Sequence, residues 1–326
     1  MKDIDKIIFY NGAARGDNFI NRGFIKYFID NFISKTSIKC EYYSAWDSYF
    51  TKDYIQSFIY PSNAAFNDGV VLQRQNEVIV IKNKILYFNA DVLANNKHYF
   101  NLHGGFNFIT LYHVFKNLYD YFCVEMPILQ ELLPQVDYKK YNTKNINNHF
   151  VDKNNLNVFI STSVPRSDQS NKRSLKDFVI KISQKYKNIN FYITDPLYKS
   201  HNVFYSNDII YETNHPLEEY ENQITLYGST SYTKTPDMIE CSYFSNFCDI
   251  IVGKSTGTYV FSLTKHNILS NKQFMGICTL PLCSLGMHNY NNNFHTVVPS
   301  DNGLYYDENS NIKLLEKLIN EKFNNR

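Results

Sequence analysis

The stretch CDIIVGKSTGTYVF, Cys248–Phe261, decides how the chain is read. Asp249–Val252 is short, apolar and β-branched, the pattern of a strand buried on both faces of a parallel sheet. Gly253 ends the run. Lys254–Gly257 are small or basic, and an apolar run of helical character resumes at Thr258–Leu263. Strand, tight turn and helix in that order are the unit from which α/β folds are built. The turn admits two readings. Free N–H groups at a helix start, with the hydroxyls of Ser255, Thr256 and Thr258 and the charge of Lys254, would cradle a phosphate. Equally, a Ser or Thr there could be an N-cap in an ordinary strand-to-helix turn. The G-x-x-x-x-G-K-[ST] spacing of a nucleoside triphosphate loop is absent.

The same rhythm recurs on either side of this stretch. Upstream, Leu156–Ser161 (LNVFIS) reads as a strand, Ser174–Tyr186 as an amphipathic helix, and Ile189–Ile193 and Asp208–Tyr211 as further strands. A helix is expected over Asp237–Cys248, and a terminal amphipathic helix over Asn311–Phe323. At the other end of the chain, Lys6–Tyr10 (KIIFY) is a strand, NGAARGDN a turn, and the following segment has Phe19, Ile20, Phe24, Ile25, Phe28 and Phe32 at helical spacing. A strand pair is expected at Val78–Ile81 and Ile85–Phe88, and a helix at Phe108–Phe122. Pro127 and Pro134 bracket a short helix. Asp137–Asn155 is polar, rich in Asn and Lys, and reads as a linker. The fold class expected is therefore α/β with two Rossmann-like domains, 1–150 and 151–326, facing a central cleft. Ligands of such sheets gather at the carboxyl ends of the strands.

Bulk composition limits the function classes. A chain of 326 residues suits two medium domains. Its 44% hydrophobic and 20% charged residues place it among globular proteins. A net charge of +2 is too small for a broad nucleic-acid footprint, so no nucleic acid is expected as a partner. The six cysteines form no C-x-x-C pair and read as free thiols, and no metal site is expected. No stretch approaches the roughly 20 apolar residues of a membrane span. A cytoplasmic location is expected, with room for peripheral contact with a membrane surface.

Two further loops carry candidate chemistry. In the N-terminal turn, Gly16 permits close backbone approach, and Asp17 is placed either to cap the helix or to act as a general base on a hydroxyl. Arg15 beside it could hold a phosphate or carboxylate, and Asn18 completes the turn. The loop Ser163–Arg173 carries Arg166, Lys172 and Arg173, and a cation there would stand over the same strand ends as Lys254. Glu240, on the helix before the opening stretch, could accept hydrogen bonds from a ribose or a base. Asp91 and His103 are further candidates for an acceptor pocket. Each of these residues also has a plain structural reading as a cap, a turn or a solvated charge.

Two segments together carry a family resemblance: FYNGAARGDNFINRGFIKYF, Phe9–Phe28, and DMIECSYFSNFCDIIVGKSTGTYVFS, Asp237–Ser262. In them the chain resembles bacterial GT-B glycosyltransferases, in particular the heptosyltransferase-like branch of surface-polysaccharide type. The resemblance implies a nucleotide-diphospho-sugar donor held by the second domain, with Arg166, Glu240, Lys254, Ser255, Thr256, Gly257 and Thr258 around it. It implies a glycan or lipid-linked acceptor on the first domain near Arg15, Gly16, Asn18, Asp91 and His103, with Asp17 as catalytic base. It also implies transfer without a metal or other cofactor. The chain departs from that branch at Lys254–Thr258, where its members carry an acidic residue, Gly-Pro and His. Other readings of the same scaffold are an epimerase or pyruvyl transferase acting on nucleotide sugars, and a non-catalytic nucleotide- or glycan-binding protein.

Overall fold

The computed structural model describes residues 3–13, 15–44, 51, 53–59, 65–71, 77–90, 107–141, 155–162, 174–194, 200, 203–205, 238–254, 256–278, 283–297 and 307–324. The chain divides into two compact units, Met1–Val136 and Asp137–Arg326. Each is an α/β sandwich built on its own sheet.

The first unit holds β1 (Lys6–Asn11), β2 (Lys39–Ser44), β3 (Gln56–Ile59), β4 (Ile79–Lys82) and β5 (Ile85–Asn89), in the order β3-β2-β1-β5-β4. The expected strand pair is the antiparallel hairpin β4–β5. Its two-residue turn places Asn83 and Lys84 at φ 49° and 62°, the left-handed geometry that matches the twist of a tight hairpin. β5 then pairs parallel with β1, and β1 with β2. Helices α1 (Arg15–Asn31) and α2 (Phe108–Tyr121) lie on one face of this sheet. Register partners Phe9 and Phe88 meet edge-on at 5.9 Å, Phe9 meets Phe28 of α1, and Phe88 meets Phe115 of α2. The opposite face carries Ile8, Tyr10, Val70 and Tyr87. Period-two alternation along β1 thus feeds two separate cores. The short helix expected between Pro127 and Pro134 is the single 3₁₀ turn Leu129–Leu132. It sits so close to α1 that a Cβ on Gly23 would lie 1.8 Å from the Leu132 carbonyl oxygen.

The second unit holds β6 (Asn157–Ser161), β7 (Asn190–Ile193), β8 (Val203–Tyr205), β9 (Ile250–Gly253), β10 (Gln273–Gly276) and β11 (Phe294–Thr296). All pairs are parallel, in the order β11-β10-β9-β6-β7-β8. Read from β8, this is the 3-2-1-4-5-6 order of dinucleotide-binding sheets. Helices α3 (Lys176–Lys185) and α7 (Glu308–Asn324) cover one face through Phe178, Ile182, Leu315 and Leu318. On the other face Phe244 of α4 (Met238–Ser245) packs on Tyr192, ring centroids 4.5 Å apart, and on Phe159. Burial on both faces explains why β6 and β9 read as unbroken apolar runs. The 3₁₀ turn Tyr138–Tyr141, inside the stretch read as a linker, packs within this unit. The Tyr138 hydroxyl meets Ser242 Oγ at 2.8 Å.

Two expectations shift. The strand read at Asp208–Tyr211 lies outside the described residues, and the strand beside β7 is Val203–Tyr205. The helix expected from Thr258 is one turn, α5 (Gly257–Val260), followed by a separate α6 (Lys265–Leu269). The Thr264 hydroxyl explains the break, because it accepts from Asn267 N and starts a new helix.

Candidate functional site

In the second sheet the direction of winding reverses between β6 and β9. From β6 the chain moves outward through β7 to β8, and from β9 it moves the other way through β10 to β11. A reversal of this kind opens a crevice at the carboxyl ends of the two central strands. The residues at that edge are polar and buried: Ser161 ends β6 and Thr162 follows it, Thr194 follows β7, and Lys254 follows Gly253 at the end of β9.

These groups form two short chains of hydrogen bonds. Ser161 Oγ meets Thr256 Oγ1 at 3.0 Å and is bonded to Thr258 Oγ1, while Thr256 and Thr258 lie 3.2 Å apart. Thr194 Oγ1 accepts from Thr162 N at 3.0 Å and meets Thr162 Oγ1 at 3.2 Å. Thr256 occupies the N-cap position of α5, yet its hydroxyl caps nothing and goes to Ser161 instead. With four residues, α5 has too short a run of aligned peptides for a sizeable macrodipole. The anion-binding potential of this edge therefore rests on Lys254 rather than on a helix field or on the two threonine hydroxyls.

Lys254 is wholly buried, and burial pulls its ammonium down to about 8. Desolvation disfavours the charged form, and a neighbouring anion would favour it again. Gly253 is required by packing: a Cβ would lie 2.6 Å from Tyr259 Cδ2 and 2.9 Å from Ser161 Cβ. Tyr259 is held from the other side, its hydroxyl 3.0 Å from Cys283 Sγ. Burial raises the Cys283 thiol to about 12, which makes it a packing group rather than a nucleophile. None of the six cysteines is in a disulfide.

In the first unit the turn between β1 and α1 is pinned by two asparagines. Asn11 Oδ1 accepts from Ala13 N at 2.8 Å, and Asn18 Nδ2 donates to the Ala13 carbonyl at 2.6 Å. Tyr42 on β2 donates to Asn18 Oδ1, so the Asn18 carboxamide holds the loop in place. Arg15 and Gly16 open α1, and Asp17 stands half-buried in its first turn.

Of the residues singled out in the sequence, Lys254, Thr256, Gly257 and Thr258 come together at one sheet edge, and Gly16, Asp17 and Asn18 at the other unit's first strand-to-helix turn. Glu240 lies on α4. Arg166, Lys172, Arg173, Ser255, Asp91 and His103 lie outside the described residues. Sequence reasoning passed over Ser161, Thr162 and Thr194. Their signal is a hydroxyl residue directly after an apolar strand run, in LNVFIST and FYIT. Among the described residues no group of His, Cys, Asp and Glu could hold a metal ion. No described helix is long and apolar enough to cross a membrane.

No family model and no curated protein matches the chain. Among solved structures it is similar to the glycosyl transferase family 9 protein from Veillonella parvula (TM-score 0.49, 10% identity, covering 97% of this chain and 98% of that one). It is similar to E. coli heptosyltransferase WaaC with ADP (TM-score 0.47, 10% identity, 96% and 97%). It is also similar to the iron-containing dodecameric glycosyltransferase TibC of E. coli (TM-score 0.45, 10% identity, 94% and 68%).

Proposed function

We propose that the chain is a glycosyltransferase that moves a sugar from a nucleotide-diphospho-sugar to a hydroxyl of a glycan or lipid-linked acceptor. The observation that supports it most is the buried Lys254 at the β6/β9 reversal of an all-parallel sheet. That is where such sheets hold nucleotides, and a buried ammonium favours a diphosphate. The second unit is the donor side in this reading, with Arg166, Glu240 and Ser255 completing the site. The first unit is the acceptor side, with Arg15, Gly16, Asp91 and His103 around the acceptor and Asn18 fixing the turn that presents Asp17.

The chemistry is a base-assisted displacement. Asp17 takes the proton of the acceptor hydroxyl, the oxygen attacks the anomeric carbon, and the bond from that carbon to the diphosphate oxygen breaks. The departing nucleoside diphosphate carries the negative charge, which Lys254 and Arg166 neutralise without a metal. Calorimetric titration with ADP, UDP and GDP tests the donor site. At least one should bind, and Lys254→Met should weaken it at least tenfold. With the matching sugar donor, Asp17→Asn should keep nucleotide affinity and lower turnover by roughly 10²–10⁴. Absence of binding by every nucleoside diphosphate would overturn the reading.

A further inference from the structure

The first unit contains two wholly buried asparagines whose carboxamides are not satisfied. Asn11 Nδ2 and both polar atoms of Asn21 have no hydrogen-bond partner. Such groups carry a large desolvation cost, and an apolar side chain of similar shape would avoid it. Each such group calls for an explanation, and a ligand that supplies the missing partners is one.

Their positions converge. Asn11 follows Phe9 by two residues on β1, so both side chains project from the same face, the one that α1 covers. Phe28 of α1 packs on Phe9 with ring centroids 6.5 Å apart. Asn21 precedes Phe28 by seven residues, which returns it to the same stripe of the helix. It lies about 10 Å nearer the helix start, while Asn11 lies about 7 Å beyond Phe9 along the strand. Because α1 runs back against β1, both displacements lead toward the same rim, the carboxyl end of the sheet. Ring stacking of Phe24 on Phe115 and contact of Phe28 with Tyr119 show that α1 and α2 run side by side in the same direction. Both helices, of 17 and 14 residues, therefore begin at that rim. Asp17 precedes Asn21 by one turn on the same stripe.

The chemistry of the open groups selects a ligand class. A carboxamide both donates and accepts, as a sugar hydroxyl does, and carries no net charge. The half-buried Asp17 carboxylate in the first turn of α1 would accept from a hydroxyl and repel an anion. We infer that Asn11 and Asn21 read the hydroxyls of a neutral sugar at the rim where α1 and α2 begin. Asn21 holds one hydroxyl of that sugar, and an adjacent hydroxyl is presented to Asp17. This assignment rests on the transferase reading for the role of Asp17, but the sugar site itself does not require it.

Saturation-transfer difference NMR on the full chain tests the inference. The probes are the methyl glycosides of glucose, galactose and mannose, with glucuronate and glucose 6-phosphate as the anionic arm. At least one neutral glycoside should receive saturation, and the signal should fall at least fivefold in Asn21→Leu and in Asn11→Ser. The melting temperature of Asn21→Leu should stay level or rise, because the variant removes an unsatisfied buried carboxamide. Signals unchanged in both variants, signals from the anionic sugars alone, or no signal from any sugar would each overturn the inference. Nucleoside diphosphate titration of the same variants separates the two readings. A neutral sugar signal lost in the variants of a chain that binds no nucleotide keeps this site and ends the transferase reading.

Discussion

Ser161 and Thr256, 95 residues apart in the chain, share a hydroxyl hydrogen bond of 3.0 Å at the carboxyl edge of the second sheet. Ser161 also bonds Thr258, so one serine on β6 holds both threonines at the start of α5. The start of α5 is thus held to the neighbouring strand by side chains. Replacing Ser161 with Ala removes one partner from each of two buried threonine hydroxyls, which still meet each other. The expected loss is about 1–3 kcal/mol in urea unfolding, with weaker nucleoside diphosphate binding. Ser161→Thr or →Cys, which keep a polar atom, should lose less affinity than Ser161→Ala.

Gly253 sits behind the same turn. A methyl group there meets Tyr259 and Ser161 at 2.6 and 2.9 Å, both inside contact distance. Tyr259 cannot yield freely, since its hydroxyl is held at Cys283. Gly253→Ala should destabilise the chain by about 1–3 kcal/mol through overpacking, read by chemical denaturation. A neutral result would show that α5 can shift outward without loss.

Lys254 gives the proposed donor site a defined pH dependence. Burial places its ammonium at about 8 in the free protein. A bound diphosphate stabilises the protonated form and raises that value, so the proton is retained in the complex. Affinity should be full below this range and fall as pH rises through it, about tenfold between roughly pH 7 and pH 9. The fall continues until the value in the complex is reached. Calorimetry across this range in wild type and Lys254→Met checks the sign. The variant should bind weakly with a flat profile, and an equally steep profile in the variant would assign the dependence to another group.

The elements legible in the sequence were those whose burial leaves a simple pattern. KIIFY, LNVFIS and DIIV are continuous apolar runs because they are central strands covered on both faces, and the hairpin at 79–89 announces itself through a polar two-residue turn. β2 (KCEYYS), β3 (QSFI), β10 (QFMG) and β11 (FHT) were not read as strands. They are short, carry polar residues, and owe their extended form to pairing with strands already in place. The site followed the same division. Lys254 and the small residues around it stood out by type. The direction of the Thr256 and Thr258 hydroxyls depends on Ser161, which lies far away in sequence, and no local spacing records it. Asn11 stood out only as the start of the N-terminal turn, and Asn21 not at all, because an isolated Asn in a helix has no periodic signature. Only packing shows that their amides are buried.

Lys272 shows how a lysine can serve the fold instead of a ligand. Its ammonium donates to the carbonyl oxygens of Ser245, Asn246 and Cys248, at 3.2, 2.6 and 2.8 Å. These acceptors lie at and just beyond the end of α4, where a positive charge also suits the helix dipole. Burial draws the group down to about 8, yet the three acceptors give it a structural task. Lys272→Met should cost about 2–3 kcal/mol, the scale of hydrogen bonds to a charged group. Nucleotide affinity measured at a temperature where the variant is folded should be unchanged.

The strongest single stability prediction concerns Arg22 and Asp53 in the first unit. Their side chains are wholly buried and joined in a salt bridge, and Arg22 Nε donates to the Gln135 carbonyl at 2.8 Å. The guanidinium also lies over the rings of Phe19 and Tyr54, 5.5 and 5.1 Å from their centroids. One side chain of α1 thus ties together the segments around residues 53 and 135. Removing the carboxylate alone leaves an uncompensated cation in the core, and Asp53→Ala should cost about 3–5 kcal/mol. Replacing both members by apolar groups, Arg22→Met with Asp53→Leu, should recover much of that loss, because it removes the charge together with its partner. Equilibrium unfolding of the single and double variants reads the difference. A double variant no more stable than Asp53→Ala would mean that Arg22 is needed chiefly for its bond to Gln135 and its ring contacts rather than for its pairing with Asp53.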